Sequence, residues 1–295
     1  MNASSGLLLI DKPAGMTSHS VVSRVRRAVS VKRVGHAGTL DPMATGLLVI
    51  GVGPATRLLQ YCQQSVKGYT GTVKFGVATD SLDADGLVTD TARVPSLDNA
   101  AMNEAARGLT GDITQIPPMV SAIKHEGRRL YELARQGVEV ERAARPVTIS
   151  QFALSSTGDP SVWNFDVTCS VGTYVRVLLA DLAERIGTVG HLTALRRESS
   201  GSFRVDEALT LDELDRRAAN GSLRIAPARE MVREFATVAA TPDEVAQMRR
   251  GQRPRFEVSA TEVAVLDGDG ELVGLARRRD DAYQPFLVLP VGDEG

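Results

Sequence analysis

The longest uninterrupted apolar run of the chain, Gly46 to Val52, sets the first limit on the fold. The run has seven residues, whereas a helix that crosses a bilayer needs roughly 18 or more. Its length suits a strand that is buried on both faces. A second apolar run, Leu7 to Ile10, lacks the preceding basic residues of a secretory leader. We therefore expect a protein with no membrane segment.

The composition indicates an ordinary globular protein in a reducing compartment. The chain has 295 residues, of which 43% are hydrophobic and 24% charged, which suggests roughly two domains of about 150 residues. Its two cysteines, Cys62 and Cys169, are far apart, and its four histidines show no metal-ligand spacing. We expect a cytoplasmic protein with no disulfide framework and no metal site.

Charge is unevenly distributed along the chain. Between Lys12 and Lys74 there are nine basic residues and one acid, Asp41, whereas Phe75 to Pro118 contains seven acids and two arginines. A segregated basic surface predicts a polyanionic ligand, although a solvated basic face with no ligand is the alternative. The basic residues are Lys12, Arg24, Arg26, Arg27, Lys32, Arg33, Arg57, Lys67 and Lys74.

Hydrophobic periodicity and capping residues predict a mixture of helices and strands. Thr17 or Ser18 can cap a helix that runs to Val29, and the glycine-rich stretch from Arg33 to Thr45 predicts a loop. The other predicted elements are strands at Leu47–Val52, Tyr69–Ala78 and Val162–Cys169, helices at 99–109, 175–186 and 209–219, and a hairpin of Val263–Leu266 with Leu272–Leu275.

Two nucleotide or metal motifs are only partly present. Gly51 and Gly53 follow a strand as in dinucleotide-binding sites, but Thr56 occupies the position of the third glycine. The segment from Ser81 to Ala92 resembles a calcium loop that lacks the bidentate glutamate at its end. Asp41 precedes Pro42 and could simply start a turn.

Several ordered motifs resemble one family, the TruB-type tRNA pseudouridine synthases of bacteria. The stretch Gly35 to Arg57, GHAGTLDPMATGLLVIGVGPATR, is similar to the family signature that surrounds the catalytic aspartate. The resemblance also includes Leu8 to Ser18, Lys67 to Tyr69, and Gly172 to Arg176. It extends from about Gly6 to Leu211.

The resemblance implies an α+β fold with a central, mostly antiparallel sheet flanked by helices. It implies a catalytic domain at residues 1–225 with an inserted helical arm at about 116–146. A small β-rich domain at residues 226–295 is similar to the RNA-binding PUA domain. The implied partner is the T stem-loop of tRNA, and the protein is expected to act as a monomer without a protein partner.

The resemblance also implies an activity and its residues. The family isomerises uridine 55 of the tRNA T loop to pseudouridine without a cofactor or metal, and the catalytic carboxylate would be Asp41. Arg176 would hold this carboxylate in one orientation and keep it ionised. The other implied roles are stacking on the flipped base by Tyr69, pocket lining by Tyr174 and Leu195, contact with a tRNA base by His36, and RNA binding by Arg128, Arg129 and Arg135 of the arm.

The sequence leaves two other classes of function open. A non-catalytic tRNA-binding or folding factor could use the same basic face, and a nucleotide-dependent oxidoreductase would bind NAD. The atom that Asp41 attacks also remains open, since C1′, C6 of the uracil ring and a glycal route are all compatible with a carboxylate.

Overall fold

The computed structural model describes residues 5–121, 124–125, 127–130, 133, 136–138 and 140–290, and it shows a mixed α+β protein. The strands are β1 (Gly6–Lys12), β2 (Val34–His36), β3 (Thr45–Val52), β4 (Lys67–Phe75), β5 (Val77–Thr79), β6 (Val88–Thr91), β7 (Gly111–Gln115), β8 (Lys124–His125), β9 (Arg128–Arg129), β10 (Arg145–Ser156), β11 (Val162–Cys169), β12 (Gly190–Ser200), β13 (Phe203–Arg204), β14 (Leu209–Thr210), β15 (Ala236–Ala239), β16 (Glu262–Leu266), β17 (Leu272–Arg279) and β18 (Ala282–Val288). The helices are α1 (Ser18–Val29), α2 (Leu59–Gln63), α3 (Asn99–Arg107), α4 (Val175–Arg185), α5 (Leu211–Ala219) and α6 (Pro242–Arg249). Short 3₁₀ helices lie at Gly53–Leu58, Val205–Glu207 and Ala228–Val232.

The chain divides into two compact units. The first unit contains Met1–Pro42, Gly46–Gln63 and Ser202–Gly295, and the second contains Met43–Thr45 and Gln64–Gly201. Each unit has its own strands and helices, and each is described separately below.

The sheet of the first unit is built around β3, the long apolar run. β1 pairs antiparallel with β3 along its whole length, β14 pairs parallel with β1, and β2 pairs with the last residues of β3. Leu47 and Val49 belong to one apolar cluster, whereas Leu48 and Ile50 belong to another. Because alternate residues of a strand point to opposite faces, β3 is buried on both sides, and the sequence prediction of a buried strand is confirmed.

Helix α1 begins and ends where its sequence predicts. Thr17 is the N-cap, and its Oγ1 accepts a hydrogen bond from Ser20 N at 3.0 Å. Val21, Val22 and Val25 are buried against the sheet of the first unit. The apolar spacing therefore sets which face of α1 packs inward.

The second unit contains an antiparallel sheet with the strand order β12-β4-β11-β10-β7. At Gly71 of β4, a Cβ atom would collide with the carbonyl of Ala194 on β12, so the close approach of the two strands requires glycine. Helix α3 packs against β10, where the side chain of Asn103 bonds both the N–H and the carbonyl of Leu154. Helix α4 packs against β12.

A small four-stranded sheet follows near the C-terminus, in the order β15-β16-β17-β18. The predicted hairpin is confirmed as β16 and β17, which pair antiparallel. Helix α6 covers an apolar cluster on this sheet that includes Val263, Val273 and Tyr283. This arrangement gives the chain its small β-rich C-terminal domain.

Three sequence predictions differ from the structure. Leu209 and Thr210, predicted as helix, form β14, and Thr210 caps α5 through its side chain. The predicted loop at 33–45 contains the short strand β2. The strand predicted at Tyr69–Ala78 is divided at Gly76 into β4 and β5, because this glycine takes a positive φ of 88°.

In the ranges that the structure describes, no helix is both long and apolar enough to cross a membrane.

Candidate active site

Asp41 lies in the loop between β2 and β3, and both of its chain neighbours are held by hydrogen bonds. On one side, Ser18 Oγ accepts a hydrogen bond from Leu40 N at 2.8 Å and donates one to Leu40 O at 3.1 Å. On the other side, Pro42 O accepts a bond from Gly15 N at 2.8 Å. Asp41 itself is half-buried. The loop therefore presents this carboxylate from a backbone that is fixed at each end.

Lys12 provides a second hold on the same loop. Its ammonium donates to the carbonyl oxygens of Pro13 (3.0 Å), Met16 (2.7 Å) and Pro42 (3.1 Å). The side chain is fully buried, and a buried ammonium is stable only when its donors are satisfied. Lys12 thus connects β1 to the residue that follows Asp41.

The prediction that nine basic residues form one surface is wrong for several of them. Lys12 is buried, and so is Lys67, whose ammonium donates to Ser65 O at 2.9 Å. Arg24 is paired with Asp215 at 2.6 Å. Five cations remain solvent-exposed: Arg27, Lys32, Arg33, Arg57 and Lys74.

Arg176 lies in the first turn of α4, in the second unit, and is almost completely buried. Its Nη1 donates to Ser81 O at 2.7 Å and lies 3.4 Å from Asp83 Oδ2. Its Nη2 donates to Val120 O at 2.9 Å. These contacts fix the plane of the guanidinium, since its donors form a rigid fork.

Asp83 is a buried partner of Arg176 that the sequence did not predict. Its side chain is 7% exposed, and its Oδ1 accepts bonds from Ser81 Oγ at 2.5 Å and from Asp85 N at 3.2 Å. The other carboxylate oxygen faces Arg176. Both oxygens are therefore engaged, as a buried carboxylate requires.

Tyr69 and Leu195 lie on the same buried face of the sheet in the second unit. Tyr69 on β4 is directly opposite Arg197 on β12 and Val167 on β11, and Leu195 is two residues from Arg197. Both side chains are buried. The carbonyl of Leu195 accepts a bond from Thr45 Oγ1 at 3.4 Å. Because alternate strand residues share a face, the sheet brings Tyr69 and Leu195 together.

Tyr174 is the N-cap residue of α4, and an amide side chain fixes its backbone. Gln115 Oε1 accepts a bond from Tyr174 N at 3.0 Å, and Gln115 Nε2 donates to Tyr174 O at 3.3 Å. Gln115 is 2% exposed. The paired bonds fix the backbone of Tyr174, and they hold the start of the helix that carries Arg176.

The other predicted site residues are more dispersed. His36 is a half-buried residue of β2, opposite Ile50. In the arm, Arg128 is exposed and donates to Gln136 Oε1 at 2.7 Å, and Arg129 belongs to the short strand β9. Arg135 lies outside the described residues.

The predicted residues thus fall into two groups. Asp41 and His36 belong to the first unit, whereas Tyr69, Tyr174, Arg176 and Leu195 belong to the second. The pairing of Asp41 with Arg176 stays a prediction. The sequence missed the roles of Asp83 and Lys12. Asp83 lies in the polar segment that resembles a calcium loop, which does not point to Arg176, and Lys12 was recognised only as a basic residue.

Comparison with known proteins identifies the family. Residues 26–175 match the family model described as TruB family pseudouridylate synthase (N terminal domain). That match covers more than half of the chain. It includes Asp41, Tyr69 and Tyr174.

The chain belongs to the TruB family.

Curated relatives extend this match over nearly the whole chain. The "tRNA pseudouridine synthase B" of Thermobifida fusca (strain YX) is 42% identical over 292 residues, which are 96% of this chain and 98% of the relative. The protein of the same name from Arthrobacter sp. (strain FB24) is 41% identical over 300 residues, with 98% of each chain covered.

Solved structures share the TruB fold at low sequence identity. A chain from "Structure of H/ACA RNP bound to a substrate RNA containing 2'-deoxyuridine" has a TM-score of 0.72 at 20% identity, covering 97% of this chain and 85% of that chain. A chain from "Crystal Structure of a Cbf5-Nop10-Gar1 Complex" has a TM-score of 0.70 at 22% identity, covering 98% and 84%. The predicted fold class is confirmed.

Membership of the TruB family makes the chain a pseudouridine synthase and disfavours the non-catalytic and NAD-dependent alternatives.

Proposed function

We propose that this protein converts uridine 55 in the T loop of tRNA to pseudouridine. The observation that carries the proposal is the TruB family match over residues 26–175, because it includes the Asp41 loop. The names of the curated relatives support a tRNA substrate. In this isomerisation the bond from C1′ to N1 breaks and a bond from C1′ to C5 forms. The proton of C5 is lost and N1 gains one, so no redox partner is needed.

Asp41 is the proposed catalytic carboxylate. It is half-buried, and hydrogen bonds to Leu40 and Pro42 restrain the loop on both sides of it. Such restraint favours catalysis because an attacking group that is already oriented loses little entropy in the transition state. Attack at C1′, addition at C6 and elimination through a glycal all use this carboxylate, and the proposal covers each.

Arg176 is the proposed partner that orients the Asp41 carboxylate and keeps it ionised. Its contacts with Ser81, Asp83 and Val120 fix the plane of the guanidinium, which supports an orienting role. The buried Asp83 balances part of its charge. Arg176 would then keep its position before and after RNA binds.

Tyr69, Leu195 and Tyr174 are the proposed walls of the pocket for the flipped base. Extracting a stacked nucleotide costs about a few kcal/mol, and stacking on an aromatic ring returns about 1–3 kcal/mol. Tyr69 and Leu195 share one face of the sheet, which supports the pairing of a stacking ring with an apolar wall. Tyr174 is held at the start of α4 by Gln115.

The remaining proposed contacts bind the rest of the tRNA. Arg128, Arg129 and Arg135 of the arm would contact the T stem-loop, and His36 would contact a displaced base. Residues 1–225 would form the catalytic domain with its arm at about 116–146, and residues 226–295 an RNA-binding domain. The protein would act as a monomer, without a protein partner, in the cytoplasm.

The test is to incubate purified protein with an unmodified tRNA transcript, without any added cofactor, and to map pseudouridine at nucleotide resolution. A transcript with cytidine at position 55 is the matched control. We expect a single product site at position 55 and none in the control. Binding of tRNA without any pseudouridine would overturn the proposal and favour a non-catalytic binding factor.

A further inference from the structure

Ser121 lies six residues after the end of β7, in the first part of the arm at about 116–146. The residue before it, Val120, accepts a hydrogen bond from Arg176 Nη2 at 2.9 Å through its carbonyl. Ser121 N in turn donates to Met119 O at 2.9 Å. The backbone at Ser121 is therefore tied to the buried guanidinium of the candidate site.

The hydroxyl of Ser121 forms no hydrogen bond with any residue that the structure describes. The residue is 6% exposed, its Oγ is inaccessible to solvent, and no described group satisfies it. A buried hydroxyl that makes no bond destabilises a protein relative to a satisfied one. Such groups are few in folded proteins, and each calls for an explanation.

Packing does not explain why this residue is serine. Alanine would occupy the same space without the cost of desolvating a hydroxyl. Ser200 at the end of β12 is also buried and also unsatisfied, but the contacts of Arg176 described above do not involve it. The location of Ser121 next to the Arg176 contact is what distinguishes it.

We propose that Ser121 Oγ is a substrate-positioning group that bonds a backbone oxygen of the RNA at the target nucleotide. This inference rests on the proposed function. A serine hydroxyl can donate and accept, and it can move between staggered rotamers without any change in the backbone. Its neighbour Val120 is 37% exposed, so this segment borders solvent. The acceptor or donor on the RNA is a phosphate oxygen or a ribose hydroxyl, both of which proteins contact with hydroxyl side chains.

The decisive variant is Ser121→Ala, with Ser200→Ala as the matched control. We expect Ser121→Ala to lower kcat/KM for tRNA about fivefold to tenfold, the equivalent of one hydrogen bond. Its Tm should equal or exceed that of the wild type, because an unsatisfied hydroxyl is removed. Ser200→Ala should show the same effect on Tm with kcat/KM unchanged. A purely structural role for Ser121 predicts a lower Tm together with the lower activity.

Modified substrates distinguish the two sources of the RNA oxygen. A 2′-deoxy substitution at the target nucleotide, or a methylphosphonate at a flanking linkage, removes one candidate partner. The activity difference between wild type and Ser121→Ala should disappear with one of these substrates. The inference is overturned if Ser121→Ala retains wild-type kcat/KM, if its Tm falls, or if the difference persists with both substrates. A wild-type protein that forms no pseudouridine would overturn the proposed function as well, so the two failures are distinguishable.

Discussion

Arg176 Nη1 lies 3.4 Å from Asp83 Oδ2, and the two side chains are only 3% and 7% exposed. Removing one partner of a buried ion pair leaves an uncompensated charge, which costs about 3–5 kcal/mol. We therefore expect Asp83→Asn to lower the free energy of unfolding by about 3 kcal/mol and to reduce pseudouridine formation at least tenfold. Urea denaturation and a timed activity assay measure the two effects.

Asp85→Asn is the matched control for that variant. Asp85 is exposed and only its backbone N–H bonds Asp83, so both quantities should stay near wild type. If the two substitutions change the free energy of unfolding and the activity equally, the ion pair of Arg176 with Asp83 does not account for the effect of Asp83→Asn.

Lys12→Met tests whether the buried ammonium holds the Asp41 loop. The change keeps most of the side-chain volume but removes the donor to three carbonyl oxygens, including that of Pro42. We expect the free energy of unfolding to fall by about 2–4 kcal/mol. Thermal denaturation provides the measurement, and Lys74→Met, at an exposed lysine, should change Tm little. A Lys12→Met protein as stable as the wild type would contradict the structural role.

Exposed cations near α1 should contribute to RNA affinity. Lys32 and Arg33 are both exposed, and each phosphate contact adds about 0.7 to 0.9 to the slope of log affinity against log salt. We expect the double variant Lys32→Ala/Arg33→Ala to bind tRNA more weakly and with a shallower slope in a filter-binding titration. Arg216→Ala, at a cation already paired with Glu213 at 2.7 Å, should leave the slope unchanged. An identical slope in the double variant would remove these two residues from the interface.

We expect the contribution of Asp181 to stability to depend on pH. Burial, and then the negative charge of Glu184, raise the pKa of Asp181 from 3.8 to about 6. Because folding favours the protonated acid, the contribution of Asp181 to the free energy of unfolding is complete below about pH 4. This contribution is lost as the pH rises through 6. We expect Asp181→Asn to be more stable than wild type at pH 8, by about 1 kcal/mol given the partial exposure of the carboxyl. Urea titrations at pH 4 and pH 8 measure the free energy of unfolding of the two proteins. If Asp181→Asn is more stable than wild type by the same amount at both pH values, the raised pKa of Asp181 is not the cause.

Local sequence signals predicted the elements that depend on local physics. Thr17 capped α1 as expected, and the apolar run of β3 was buried. These features depend on neighbouring residues in the chain. Strand β10 was missed; it pairs with β7 and β11, and β7 ends 30 positions before β10 begins.

Contacts between distant residues could not be predicted from one sequence. Arg176 and Ser81 are 95 positions apart, and Lys12 and Pro42 are 30 apart. Lys12 and Lys67 were assigned to a basic surface because charge alone does not distinguish an exposed lysine from a buried one that carbonyls satisfy. The family resemblance suggested Arg176, but nothing in the sequence indicated that Asp83 would contact it.

The most direct test of the central claim is single-turnover pseudouridine formation by Asp41→Asn on unmodified tRNA, with tRNA affinity measured in parallel. Asparagine keeps the shape of the side chain and removes its negative charge. We predict that the product at position 55 is abolished, while the dissociation constant for tRNA stays within a few-fold of wild type. Product formation at the wild-type rate would contradict the assignment of Asp41 as the catalytic group.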